Sequence, residues 1–248
     1  MKQRLRRALS WPFRLLPAAV RRRLVQAITT TATATQTPAG AMRELLQIDS
    51  DLSGAIDELA LAYDGGVHAK HRLMRYHDFF VERIKAGERV LDVGCGYGAV
   101  AYSLASRAGA DVTGIDLSEL NIAEARGRFR HPALQFVQGT APADVPARPF
   151  DVVVASNVLE HIEHRPEFLD GIQRRTHAAR WLIRVPMANR DWRVPLRAEL
   201  GLFPFGDPTH FTEYTRESFE TEIDRAGFEV CHLQVNWGEI WAEVRPRA

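Results

Sequence analysis

"VLDVGCGYG", residues 90–98, decides how this chain folds. An apolar run, Val90 to Val93, leads into three glycines at alternate positions, Gly94, Gly96 and Gly98. A buried strand passes into a helix through such a turn, and the missing side chains let a ligand approach the backbone. Gly94-x-Gly96-x-x-Ala99 also satisfies a loose dinucleotide fingerprint, so the glycines alone leave the ligand open. A P-loop is excluded, because no Gly-Lys-Ser/Thr follows. Two acids narrow the choice. Asp92 lies in the strand end, where a carboxylate repels a pyrophosphate at the helix N-terminus and suits a cation. Asp116 ends the next apolar run, "VTGIDLS" (112–118), the place from which an acid takes the hydroxyls of a ribose.

Outward from this turn, short apolar runs alternate with helical spacing. Strands are expected at 89–93, 111–115, 134–138, 150–155 and 180–186, with helices at 98–107, 118–129 and 166–178 between them. Near-continuous apolar strands separated by helices imply a parallel sheet covered on both faces. After a helix at 216–226, ended by Gly227, strands near 228–237 and 240–245 stand too close together to be anything but antiparallel. Upstream, Leu45, Ile48, Leu52, Ile56 and Leu59 recur at helical spacing within 41–62, and a second helix is expected over 67–85. Residues 29–40, "TTTATATQTPAG", read as a linker or frayed segment.

A nucleoside with a positive, phosphate-free tail meets both acids, and S-adenosylmethionine has a ribose, an ammonium and a sulfonium. Over about residues 87–245 the sequence resembles the class I S-adenosylmethionine-dependent methyltransferases. "VLDVGCGYG" is similar to their glycine-rich motif, "VTGIDLSELNIAEA" to their ribose segment, and "FDVVVASNVLEHI" to their fourth strand and the loop after it. "FTEYTRESFETEIDRAGFEV" is similar to their late helix and sixth strand. The resemblance implies a Rossmann-like seven-stranded α/β sheet with its last strand antiparallel, helices on both faces, and here an N-terminal helical extension. Residues 1–40 form a basic arm and linker. Residues 41–248 form the methyltransferase domain, with N-terminal helices over 41–86, a cofactor-binding core over 87–248 and a substrate loop at 188–214.

By position, the resemblance implies that Asp92, Gly94 and Gly96 line the methionine end of S-adenosylmethionine, with Cys95 and Gly98 in the same loop. Asp116 would hold the ribose, Leu117 would pack beside the adenine, and Thr140 and Ala141 would stand near the adenine amine. Thr140 departs from the Asp the family often has there. Asn157 and His161 follow strand four at the mouth of the site. Cys95 reads as small-residue packing rather than a nucleophile, since Asp92 beside it raises a thiol pKa. "HAKHRLMRYHDFF" (68–80) is either a solvated face over buried Leu73, Phe79 and Phe80, or a cover over the cofactor in which His71, Arg72 or Tyr76 reaches its carboxylate. "LEHIEH" (159–164) puts His161 and His164 on one face with Glu160 and Glu163 nearby; the expected reading is a polar helix start, with no metal ligands assigned.

The long stretch 188–214 holds Trp192, Phe203, Phe205, Phe211 and Tyr214, and "GDPTHFTEYT" within it carries His210. His210 is the expected catalytic base, with His161 the next candidate; a turn-forming, buried segment is the other reading. No Asn-Pro-Pro-Tyr or Asp-Pro-Pro-Tyr follows strand four. In this family that tetrapeptide accompanies amine methylation of bases or glutamine, so oxygen methylation of a small-molecule, glycan or lipid-linked acceptor is expected. Two other classes stay open: a protein or RNA methyltransferase, and a non-catalytic S-adenosylmethionine-binding regulator or scaffold.

Composition bounds the rest. The 248 residues are 46% hydrophobic and carry a net charge of +1. That average hides an asymmetry, for residues 1–43 hold nine Lys or Arg and no acid, leaving 23 bases against 31 acids after them. The arm, residues 1–28, interleaves Arg with Leu, Trp and Phe. It suits an anionic membrane surface, a solvated tail or, less well, nucleic acid. Two distant cysteines form no disulfide framework, and "ALSWPFRLLPAAV" is broken by Pro12, Arg14 and Pro17, so it makes no signal peptide. A cytoplasmic protein is expected, with the arm its route to a membrane. Oligomeric state is not legible.

Overall fold

The structure is a computed structural model and describes residues 15–247. Its centre is a seven-stranded sheet of order β3-β2-β1-β4-β5-β7-β6. The strands are β1 (Arg89–Val93), β2 (Asp111–Asp116), β3 (Leu134–Gln138), β4 (Val152–Ser156), β5 (Arg180–Pro186), β6 (Phe228–Asn236) and β7 (Glu239–Pro246). The first five are parallel, and β7 runs antiparallel between β5 and β6. This is the methyltransferase Rossmann-like arrangement.

Alternation along each buried strand builds two cores. Leu91, Val93, Val153, Ala155, Trp181 and Ile183 face one side, where they meet Phe168, Leu169 and Ile172 of α7 (Arg165–Thr176) and Phe219 and Ile223 of α9 (Arg216–Arg225). Val90, Val112, Val152, Val154 and Leu182 face the other, against Val100 of α5 (Ala99–Ser103), Leu104 directly after that helix, and Ile122 of α6 (Glu119–Arg128). Strands covered on both faces must read as unbroken apolar runs, because neither face meets water. The chain winds outward from β1 to β3 and then returns to β4. A crevice opens at the carboxyl ends of β1 and β4, where the winding reverses.

Upstream, α1 (Ala18–Thr35) and α2 (Pro38–Tyr63) are separated only by Gln36 and Thr37. The threonine-rich stretch is therefore helical through Thr35, not a linker. Its hydroxyls fold back on carbonyls one turn earlier, Thr31 on Ala27 and Thr35 on Thr31, each at 2.8 Å, so they do not compete with the helix. The buried residues of α2 lie in its first part. Ala41 and Leu46 are buried, and Arg197 of α8 (Arg193–Glu199) donates to the Leu46 carbonyl at 2.8 Å. Leu52, Ile56 and Leu59, spaced as a buried face would be, are exposed.

The single helix expected over 67–85 is two, α3 (Lys70–Met74) and α4 (Tyr76–Val81), broken at Arg75 with φ 53°. The break has a packing reason. Tyr76, His77, Phe79 and Phe80 form the buried face of α4, whereas α3 buries no residue, so the turn re-aims the chain to bring that face onto the core. The segment 188–214, read as a loop, contains the unforeseen α8. No helix among the described residues is long and apolar enough to cross a membrane.

Candidate active site

The glycine turn caps β1 and opens α5 through Gly98, which has φ 81°. A Cβ at Gly98 would meet the Phe136 ring at 2.5 Å, so packing demands glycine there. A Cβ at Gly96 would meet nothing within 4 Å, because this backbone faces open space. That space is a cavity of about 220 Å³ lined by Asp92, Gly94, Gly96 and Asn157 on one side and Lys70, His71, Tyr76 and Arg184 on the other.

The polar groups of this cavity are unbalanced. Asp92 is fully buried, one of its carboxylate oxygens lacks a partner, and burial pushes its carboxyl up to about 8. The buried Asn157 Oδ1 also lacks a partner. Both atoms accept, so they fit a ligand that donates, as an ammonium does. Opposite them stand two cations. Burial, then the neighbouring Arg184, lowers the Lys70 pKa. Arg184 is clamped by Glu239 at 2.6 and 2.7 Å and lies 3.7 Å over the Tyr76 ring. A zwitterionic end, ammonium and carboxylate together, matches this pairing of signs.

Asp116 sits at the end of β2. Its Oδ2 accepts from the Gly96 N–H and its Oδ1 from the Ser118 N–H, both at 2.9 Å, which ties the two loops together and fixes the carboxylate. A second cleft, about 680 Å³, begins there and runs past Leu117, Val158 and Ile162 to His161, His210 and Phe211. The two cavities share Gly94 and Asn157. A ligand lying across both would have its two ends in chemically different surroundings.

His210 reaches the cleft because its loop docks on the 3₁₀ turn Leu159–His161: the Phe211 N–H donates to the Glu160 carbonyl at 2.8 Å. The His161 and His210 rings meet edge to face, centroids 4.6 Å apart. His210 Nδ1 lies 3.0 Å from a Glu213 carboxylate oxygen, and Arg190 pairs with the same carboxylate. Burial would raise the Glu213 carboxyl, but the bonds from His210 and Arg190 outweigh it and hold it low. An ionised carboxylate only accepts, so His210 Nδ1 carries the hydrogen and Nε2 keeps a free lone pair. Beneath both rings Glu160 is fully buried with neither carboxylate oxygen partnered, and burial pushes its carboxyl up to about 7.

Several expected residues lie elsewhere. Arg72 is exposed against Asp64, at 3.3 Å, and lines neither cavity. Thr140 is exposed, its N–H on Asp144, and Ala141 lines only a shallow groove beside His161. Cys95 borders the first cavity, yet its sulfur packs toward Gly114, and burial and then Asp92 push its thiol far up. His71 is held at 2.8 Å by His77 and at 2.9 Å by the Tyr76 hydroxyl. Lys70 and Arg184 went unread in the sequence. An arginine inside the apolar strand "RWLIRVP" was the available signal, since a buried charge needs a partner or a purpose.

A methyltransferase-domain family model matches residues 66–233. The chain belongs to that family. This methyltransferase is similar to the ubiquinone biosynthesis O-methyltransferase of Pectobacterium carotovorum, 44% identical over 80 residues, 31% of this chain and 33% of that protein. The mitochondrial counterpart of Schizosaccharomyces pombe is 32% identical over 118 residues, 43% of either chain. The chain thus spans about a third to two fifths of the length of these curated relatives. Among solved structures, magnesium protoporphyrin IX methyltransferase of Synechocystis, with bound S-adenosylhomocysteine, shares the fold at a TM-score of 0.56 and 18% identity, over 70% of this chain and 83% of that one. The polarity of the first cavity, unpartnered acceptors together with cations, and the Asp116 carboxylate at the mouth of the second fit the amino-acid end and the ribose of S-adenosylmethionine.

Proposed function

We propose that this methyltransferase transfers the methyl group to a hydroxyl of a small-molecule, glycan or lipid-linked acceptor bound in the second cleft. S-adenosylmethionine, when bound, supplies a methyl carbon on a sulfonium, an electrophile that needs no further activation. Asp92 and Asn157 would receive its ammonium, Lys70 its carboxylate, and Asp116 its ribose, with Leu117 beside the base. The protein's main work is alignment and exclusion of water. In-line transfer of that methyl group to an acceptor oxygen is the chemistry the cofactor would supply there, its sulfur taking the electron pair of the bond that breaks. The hydroxyl proton goes to His210 Nε2, and Glu213 steadies the imidazolium that results. The observation that carries this reading is the His210–Glu213 pair at 3.0 Å, set at the wall of an apolar cleft that joins the cofactor cavity. The O-methyltransferase relatives, named for ubiquinone biosynthesis, point the same way.

The test is methyl transfer from labelled cofactor into cell extract separated into small-molecule, glycan, lipid, protein and RNA pools. Label in an alkali-stable ether in one of the first three pools supports the reading. Label confined to protein or RNA overturns it.

A further inference from the structure

Glu160, His161 and His210 form a cluster that base catalysis does not use up. A carboxylate oxygen of Glu160 and one ring nitrogen of each histidine lie within 4.8 Å of one another. Glu160 is fully buried, and neither of its oxygens has a partner. A carboxylate placed so is costly unless something positive joins it. Of the cations whose charge reaches Glu160, Arg184 is held by Glu239, and Lys70 makes no bond to the Glu160 carboxylate.

Both rings are also held from behind. His210 Nδ1 faces Glu213. His161 Nδ1 lies 2.9 Å from the Thr209 hydroxyl, which itself donates to Asp207 at 2.7 Å. That hydroxyl therefore accepts from His161, whose Nδ1 carries the hydrogen. In both rings Nε2 is left as a lone pair with its tautomer fixed. A histidine whose far nitrogen donates to an oxygen is how proteins orient metal ligands.

We propose that Glu160, His161 and His210 bind one divalent cation of the manganese-to-zinc type. Two imidazoles and one carboxylate suit borderline first-row ions better than magnesium or calcium. Ligand atoms on one ion with bonds of about 2.1 Å stand about 3.0–3.4 Å apart, so rotamer shifts of about an ångström close the set. Three protein ligands leave positions open for an acceptor oxygen, and because His210 Nε2 is then a ligand and not a base, a hydroxyl bound to the ion gives up its proton to solvent. Taking acceptor oxygens there rests on the acceptor reading above; cation binding itself does not.

The probe is manganese(II), whose free six-line paramagnetic resonance signal disappears on binding. Titration into the full chain is expected to show one site. Glu160→Gln and His161→Ala should each weaken it about tenfold or more, and Glu213→Gln, which only orients His210, by about tenfold. S-adenosylhomocysteine affinity, measured in parallel, reports that each variant is folded. Crystals soaked in manganese should show an anomalous peak between the three side chains, which keeps the test independent of any variant. A free signal undiminished at millimolar chain, binding unchanged in the Glu160→Gln, His161→Ala double variant, or a peak elsewhere overturns the proposal. Binding without methyl transfer to any hydroxyl would leave the cation site standing and remove the acceptor reading.

Discussion

Two residues carry separable parts of the chemistry, and their variants should fail differently. Asp116 bridges the loops after β1 and β2 through the Gly96 and Ser118 N–H groups. Asp116→Ala leaves those donors and the ribose hydroxyls without an acceptor, a loss of roughly 1–3 kcal/mol in cofactor affinity. Calorimetry with S-adenosylhomocysteine checks it, and NAD should not bind, because Asp92 stands where a pyrophosphate would go. Unchanged affinity in Asp116→Ala, or tight NAD binding, removes this assignment. His210 lies at the other end. His210→Ala should cut turnover by about 10²–10⁴-fold and hardly change cofactor affinity, since none of the groups around Asp92 or Asp116 touches it. If the melting temperature and cofactor affinity fall with the rate, the residue is structural instead.

The paired helices α3 and α4 show how one element answers to both packing and the site. The turn at Arg75 lets Tyr76 and His77 face inward, and His77 links His71 to Ser103 of α5, both contacts at 2.8 Å. Burial, then the charge of Arg184, lowers the His77 pKa to about 4 from an ordinary value of 6.5. Between those values the unfolded chain binds more protons than the folded one, so stability present above pH 6.5 is lost as the pH falls toward 4. From pH 7 to pH 5 this amounts to roughly 2 kcal/mol for one such group. His77→Gln keeps a donor and an acceptor but cannot titrate. The loss of urea midpoint between the two pH values should therefore shrink in the variant, the part that remains coming from His71, whose pKa burial and then His77 lower to about 3, and equal acid losses in both proteins would dismiss His77 as a cause. None of this was legible beforehand, because helical spacing continues through Arg75. What ended the helix was the need to turn Tyr76, Phe79 and Phe80 onto the core, a demand that comes from the sheet.

Across the whole chain, legibility followed burial. β1 and β5 were readable to the residue because strands covered on both faces must be apolar, and β3 was readable too, although it is an edge strand with Gln135 and Gln138 exposed. The antiparallel finish was readable because Trp237 and Gly238 leave no room for a crossover. The acids of the glycine turn were readable from their place at strand ends, whereas Glu160 passed as a helix start because nothing local shows that its oxygens lack partners. Amphipathic spacing misled where its assumption failed: α2 has a stripe of Leu52, Ile56 and Leu59 that meets no core. That stripe bears on the basic arm. Residues 1–14 lie outside the described residues, but α1 presents Arg21, Arg22 and Arg23 with exposed Leu24, Val25 and Ile28, and it contains no acid. We propose that this segment lies on anionic membrane surfaces, with arginines at the headgroups and apolar side chains dipping below. At about 1 kcal/mol for each base, reversing all three arginines to glutamate removes roughly 3 kcal/mol or more, a loss of about two orders of magnitude in partitioning. Sedimentation with phosphatidylglycerol vesicles should fall accordingly in that triple variant and vanish when residues 1–28 are deleted, while S-adenosylhomocysteine binding persists in both. Added salt should weaken the wild-type association, since the charges involved are exposed. Equal sedimentation with neutral phosphatidylcholine vesicles would mean that charge does not hold the arm to lipid.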